Sequence, residues 1–511
     1  MRRTSPYVAL IPICLGVFVA ADDQTVIVTV LQDIMLDFRI PPTELDKASW
    51  TITAYLLGYV AAMPLVGSMS DAFGHRRMFA WAMVIFMGWS VAAALAPNLS
   101  SFITFRVLQA VGAGAMLPIA IAIIGDLFPR GNRGLAFGLV GGSAEAGGVI
   151  GPLWGGLVGR YLDWPWVFWM NIPLGVIVLI ALFMLLGPSP RYRSKVDYLG
   201  GIFLAVSLAS LTVGLSRIDR LDLVMAGYFL LAGAALAAFV YRQRNSKVTL
   251  LPNAMFRSVT VLTANTSHLL IGVALIIGMV SIPYMTTYLM GHSALEGGLR
   301  LMRMTVAMPI GAIIGGLACQ RMDYRLPTVL GLILVAGGYG LMTGWGLDVG
   351  EPSMTIHLAM VGLGFGLVIA PIALGATEPV GHRDRGAAAG LVTAMRLLGM
   401  TFGLAAITAW GAQRFSLLVS DVPLPLPTVG ETTAVTTARI AEFQTTVTTI
   451  GMDLFVEFFI IAAVVSTVAI VPALLMAWNR SRSKGLDRKE ASANIEPEPD
   501  PPHRIGVDSN Q

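Results

Sequence analysis

Six ionisable side chains lie inside runs of apolar residues: Asp22, Asp23, Arg106, Glu145, His268 and Arg396. A charge at the centre of a membrane helix carries an insertion cost of about 2.5–3.5 kcal/mol, and such residues mark ion pathways or proton relays. Aspartate and glutamate bind protons at accessible pH, whereas arginine keeps its own and acts only as a fixed positive field. An acid beside that field favours its charged form; a desolvated acid favours its proton. A carboxyl carried between the two surroundings loads and releases a proton, and that is the chemistry these residues offer. No run holds clustered histidine ligands or a nucleophile with its base, so neither an enzyme nor a bound metal or cofactor is expected. No Gly-x-x-x-x-Gly-Lys-Ser/Thr loop occurs either, which points to an ion gradient as the energy source.

The elements that must hold these groups are membrane helices. Of 511 residues, 55% are hydrophobic and 13% charged, with a mean hydropathy of +0.73; a soluble domain carries about 25% charge. The apolar residues come in blocks of roughly 18–25, the length a helix needs to cross a ~30 Å hydrocarbon layer. Fourteen spans are expected, at 8–31, 49–69, 78–96, 101–124, 134–158, 167–187, 198–216, 223–241, 259–288, 301–319, 328–347, 355–377, 387–411 and 453–478. The apolar start reads as a retained first span, since no cleavage site with a soluble successor follows it. Cys14 and Cys319 imply no disulfide framework. With the N-terminus inside, 23 of the 34 Lys and Arg fall on inner segments and 8 on outer loops. Both termini are therefore expected in the cytoplasm of a cell (inner) membrane protein. The basic balance belongs to these loops and calls for no nucleic-acid partner.

The chain repeats itself at an offset of about 250 residues. Val111-Gly112-Ala113-Gly114 is echoed by Val361-Gly362-Leu363-Gly364, and Arg133-Gly134 by Arg385-Gly386. The expected organisation is an N-terminal six-helix bundle (1–190), an inserted two-helix hairpin (191–247) and a C-terminal six-helix bundle (248–478). The bundles are related by an axis along the membrane normal, with the substrate site between them. A charged, proline-rich tail (479–511) is expected to be disordered.

These spans set the depths of the charges. Asp23 lies about 12 Å and Arg106 about 8 Å from the outer ends of their helices, so they can pair. Asp22 points about 100° away from Asp23, either as a second proton carrier or as a polar residue near water. Glu145 and Arg396, near-equivalent in the repeat, lie about 16 and 14 Å from the cytoplasm. Contact across the cavity is expected; alternatively Arg396 locks the halves together. His268 and Asn265 belong to a polar run, Thr263 to His268, that should line the cavity. His268 is either a proton carrier or a structural histidine.

Three motifs add to this. The turn after the second span reads Gly67-Ser-Met-Ser-Asp71-Ala-Phe-Gly74-His75-Arg76-Arg77, the fourth span holds Arg106-Val-Leu-Gln109, and the fifth holds Gly147-Gly148-Val-Ile-Gly151-Pro152-Leu-Trp-Gly155-Gly156. The glycines permit close helix contact and Pro152 kinks its span. Together these resemble the major facilitator superfamily, in its fourteen-helix drug:proton antiporter branch. The resemblance implies that Gly67, Asp71, Gly74, Arg76, Arg77, Gly147, Gly151, Pro152 and Gly155 govern the conformational change, and that Arg106 takes part in proton coupling. Trp50 to Pro64, Val361 to Pro371, Arg396-Leu-Leu-Gly399-Met and Ala409 to Phe415 are similar to mycobacterial exporters that move triacylglycerides with a partner lipoprotein. In those exporters the first-span aspartate falls at Asp23.

The outer loop 412–452 begins with stiff Pro423-Leu-Pro425-Leu-Pro427. It continues with Ile440, Phe443, Val447 and Ile450 at helical spacing. That stripe extends the last span outward, to guide a lipid tail or dock a periplasmic lipoprotein carrier, or rests on the membrane surface. The function expected is proton-coupled export of lipids or lipophilic compounds by a monomer, with membrane lipids, protons and substrate as partners. The competing readings are a multidrug:proton antiporter for small lipophilic cations and an uncoupled channel or sensor.

Overall fold

The computed structural model describes residues 5–41, 45–129, 131–189, 196–217, 222–381, 384–420, 422–426 and 433–476. The expected disordered tail, 479–511, lies outside them. Among the described residues, fourteen helices are long and apolar enough to cross a membrane. They are α1 (Pro6–Asp37), α2 (Leu45–Phe73), α3 (His75–Ala94), α4 (Leu99–Leu127), α5 (Arg133–Tyr161), α6 (Trp166–Leu185) and α7 (Tyr198–Ser216). They continue as α8 (Leu223–Asn245), α9 (Val259–Leu289), α10 (Ala294–Arg321), α11 (Arg325–Met342), α12 (Ser353–Thr377), α13 (Arg385–Ser420) and α14 (Thr433–Leu475). Polar turns fix the ends. Asn98 caps α4 by accepting from the Ser101 amide at 2.9 Å, Asp222 caps α8 through Met225 at 2.7 Å, and Ser293 with Glu296 forms a capping box on α10. Gly74 turns the chain between α2 and α3 at φ 93°, a conformation that a side chain would strain.

Helices α1–α6 pack among themselves, as do α9–α14; α7 and α8 pair with each other and α7 rests on α2. The internal repeat is visible in the packing. Helix α5 lies against α1 on one side and α10 on the other, and α13 lies likewise against α9 and α2. Small residues make this possible. A Cβ at Gly147 would collide with the Phe18 carbonyl of α1, and one at Gly399 with the Leu269 carbonyl of α9. In the same way Gly134 meets α10 at Gly316, and Gly386 meets α2 at Gly67. The equivalences Gly134 with Gly386 and Gly147 with Gly399 set the offset at 252, which aligns Arg396 with Ala144 rather than with Glu145.

The largest departure from the sequence reading is at the outer loop. Residues 412–452 are mostly helix. Helix α13 has 36 residues and α14 has 43, about 54 and 64 Å at ~1.5 Å per residue. Both outrun a ~30 Å hydrocarbon layer. Nothing after residue 411 stops α13: Ala412-Gln413-Arg414-Phe415-Ser416-Leu417-Leu418-Val419 contains neither glycine nor proline until Pro423. Arg414 pairs with Glu457 of α14 at 3.0 Å, tying the two helices where the extension begins.

Candidate functional site

The first charge cluster sits inside the N-terminal half and is closed. Asp23 of α1 is 1% exposed and Arg106 of α4 is 0% exposed. Arg106 Nη1 donates to Asp23 Oδ2 at 2.5 Å and to Gln109 Oε1 at 2.6 Å, while Nη2 reaches the Asp23 carbonyl at 3.2 Å. The other carboxylate oxygen, Oδ1, accepts from Gln109 Nε2 at 3.0 Å and from Asn171 Nδ2 of α6 at 2.9 Å. Gln109 also donates to Ser90 Oγ of α3 at 2.7 Å. The guanidinium lies 3.9 Å from the ring centroid of Tyr55 of α2, a cation–π contact strengthened by the lack of water. Five helices thus converge on one ionised pair, whose charges are compensated by hydrogen bonds rather than by solvent. Sequence reading found Asp23 and Arg106, carried Gln109, Asn171 and Tyr55 within motifs without giving them a role, and missed Ser90. Gln109, one turn beyond Arg106 on the same face, was the available signal.

The second cluster joins the halves. Arg396 Nη1 of α13 lies 2.5 Å from Glu145 Oε1 of α5, with side chains 16% and 13% exposed. Both line a cavity of about 30 Å³ with Ile121, Phe137, Ile369 and His268; it has room for one or two waters and none for a lipid. His268 Nδ1 lies 2.7 Å from the Val392 carbonyl, so Nδ1 carries the hydrogen. Nε2 is left as an acceptor, buried without a protein partner, and the Arg396 Nε–H is a buried donor likewise without one. Arg396 is therefore the cation beside Glu145, and the cation beside Asp23 is Arg106. Stacked Tyr55 and Tyr59, centroids 6.0 Å apart, run between the clusters, with Tyr59 in the field of Arg396 and Glu145.

The third cluster lies at the Gly74 turn. Asp71 is 3% exposed. Its carboxylate accepts from the amides of Gly386 and Ala387 at 2.9 and 3.1 Å, across the boundary between the halves. His75 Nε2 lies 3.1 Å from Asp71 Oδ1, and His75 Nδ1 2.6 Å from Asp126 Oδ2. Arg385 of α13 donates to the Gly125 carbonyl at 2.8 Å. Arg76 Nη2 reaches the Phe183 carbonyl at 3.3 Å, and Arg77 beside it is exposed. Contacts between the halves made by glycine run from this end to Gly142 beside Pro309; farther along α5, nothing lies within 4 Å of a Cβ at Gly148 or Gly156, and Leu153 is 45% exposed.

The remaining expected residues are placed as follows. Gly147, Gly151 and Gly155 form the α5 face on α1, where Thr25 Oγ1 donates to the Gly148 carbonyl at 3.1 Å, and Pro152 lies within α5 on the side next to this face. Asp22 is half-buried and does not join the Asp23 network. Asn265 does not line the cavity; its amide turns back to the Val261 carbonyl at 2.8 Å. Ile440, Phe443, Val447 and Ile450 all lie on the α14 extension, exposed or partly so. On the same helix Thr445, Thr446 and Thr449 donate their hydroxyls to carbonyls one turn back, at 2.9 Å each. With Glu442 and Ile450 they line a shallow concavity of about 500 Å³. Those internal bonds mute the polarity of the threonines.

Two glycine-sealed helix bundles, an ion pair across their boundary and a carboxylate holding them shut at one end are the parts of an alternating-access transporter. The chain belongs to the Major Facilitator Superfamily, whose family model matches residues 13–404. Among its relatives, a triacylglyceride transporter of Mycolicibacterium hassiacum is 35% identical over 83% of this chain and 83% of its own length. A triacylglyceride transporter of Mycobacterium tuberculosis (strain H37Rv) is 31% identical over 94% of this chain and 96% of its own. The fold is also that of a solved proton:xylose symporter, with a TM-score of 0.60 at 14% identity, covering 91% of this chain and 95% of that one.

Proposed function

We propose that this transporter exports lipophilic molecules, triacylglycerides among them, from the inner membrane by proton-driven alternating access, with both termini in the cytoplasm. The observation that carries the reading is the Glu145–Arg396 pair at the boundary of the halves. An acid there is charged while the arginine is beside it; when the halves part, it loses that partner and takes up a proton. Asp23, paired with Arg106 inside the N-terminal half, is the second carboxyl of this relay. The relatives' names support a lipid substrate. So does the long α13–α14 extension, which has no use for a small cation but gives an acyl chain an apolar path outward and offers a lipoprotein carrier a surface.

The reading is tested in proteoliposomes with an imposed pH gradient, following a fluorescent triacylglyceride and a small cationic dye. Replacing Ile440, Phe443, Val447 and Ile450 with serine should cut lipid movement by about tenfold, the scale of ~1.4 kcal/mol of lost apolar contact, and spare the dye. Equal loss of both would remove the extension from the substrate path. Orientation is tested in intact cells. A thiol at Asn245→Cys should be reached only from the cytoplasm and one at Val435→Cys only from outside; the reverse pattern overturns the topology.

A further inference from the structure

We propose that His75 is the positioning residue of the clasp between the two halves, and that the single proton it shares with Asp126 decides whether the clasp holds. The hydrogen-bond geometry leaves few choices. Asp71 accepts from the Gly386 and Ala387 amides, one on each oxygen, and stands as a carboxylate gripping the start of α13. The second contact on Oδ1 is His75 Nε2 at 3.1 Å, and that link holds one proton. The link from Nδ1 to Asp126 at 2.6 Å holds one further proton. If that proton leaves to the water at this end of the molecule, a nitrogen lone pair faces a carboxylate oxygen at 2.6 Å. The pair cannot stay at hydrogen-bond distance. The imidazole is 0% exposed, so its displacement also withdraws Nε2 from Asp71, the residue that grips α13.

Charged neighbours on every side belong to the same balance. Asp71 comes from α2 and Asp126 from α4; Arg76 and Arg77 follow His75 on α3. Arg133 of α5 and Arg385 of α13 both donate to the Gly125 carbonyl beside Asp126. Helix α6 contributes no ionisable side chain after Asn171. The arginines keep their charge at all accessible pH, so His75 with its two carboxylates is the part of the clasp that titrates. The proposal stands on this geometry and is independent of what the protein carries.

The experiment uses the full chain in lipid nanodiscs, with Cys14→Ala and Cys319→Ala, and spin labels at Asn132→Cys and Met322→Cys. These positions end α10 and precede α5, which meet across the boundary at Gly134 and Gly316. Between about pH 5.5 and 9, the ratio of separated to closed distances should rise by up to about tenfold per pH unit through the titration, the dependence one coupled proton gives. His75→Arg, with a permanent charge and donors for both carboxylates, should stay closed at every pH. His75→Gln, which has one donor group, should be separated at every pH. An unchanged distance in the wild type, or the same pH response in His75→Arg, overturns the proposal. The arginine comparison decides the matter even if the glutamine variant does not fold.

Discussion

Asp23→Asn should abolish gradient-driven transport, lowering it at least about 100-fold, while exchange of substrate in the absence of a gradient continues. The carboxylate is the acid hydrogen-bonded to Arg106, and an amide in its place cannot carry a proton. The substitution also leaves the buried guanidinium with neutral acceptors alone: the new amide oxygen, the Gln109 oxygen at 2.6 Å and the backbone carbonyl at residue 23. Removing one partner of a buried pair costs about 3–5 kcal/mol, so a lower unfolding temperature is expected with it. Loss of coupling must therefore be read against a variant with the same packing defect and an intact acid. Asn171→Ala, which removes one donor to Asp23 at 2.9 Å, costs about 1–3 kcal/mol and should keep transport driven by the gradient. Normal transport with normal pH dependence in Asp23→Asn would show that Asp23 only organises the helices around it.

Arg396→Ala should lose transport to the same extent, and Arg396→Lys should keep about a tenth of it. Lysine preserves the positive field next to Glu145 but not the planar fork that fixes the 2.5 Å contact. The position also separates two roles. If Arg396 only locks the halves, Glu145→Gln and Arg396→Ala should both favour the parted state and both keep pH-dependent transport, since no proton is carried there. If Glu145 carries a proton, Glu145→Gln should flatten the pH profile, and adding Arg396→Ala should cost little more. The measurement is the double-mutant cycle on transport rate across pH: additive losses with unchanged profiles would leave the pair a structural lock.

Composition and spacing alone determined that this chain crosses a membrane fourteen times, because a helix that satisfies its own backbone in hydrocarbon needs about twenty apolar residues and leaves no other reading of such blocks. They also marked Asp23, Arg106, Glu145 and Arg396, since a charge in those blocks stands out against its neighbours. Partners were legible only as matched depths, which let Asp23 pair with Arg106 and suggested that Glu145 meets Arg396. The tertiary structure decided both pairs and their further hydrogen bonds, because pairing depends on which helices touch, between residues 83 and 251 positions apart. His75 went unremarked for the same reason: in the sequence it is one basic residue beside two arginines in a turn, and folding alone sets it between two carboxylates from different helices. Asn265 shows the converse. Its polar run suggested a cavity wall, but an asparagine in a helix can bond to its own preceding turn, and here it does. The α13 extension was hidden because Gln413, Arg414 and Ser416 interrupt the apolar block without breaking the helix, and its contact with α14 at Arg414 and Glu457 ties the two together.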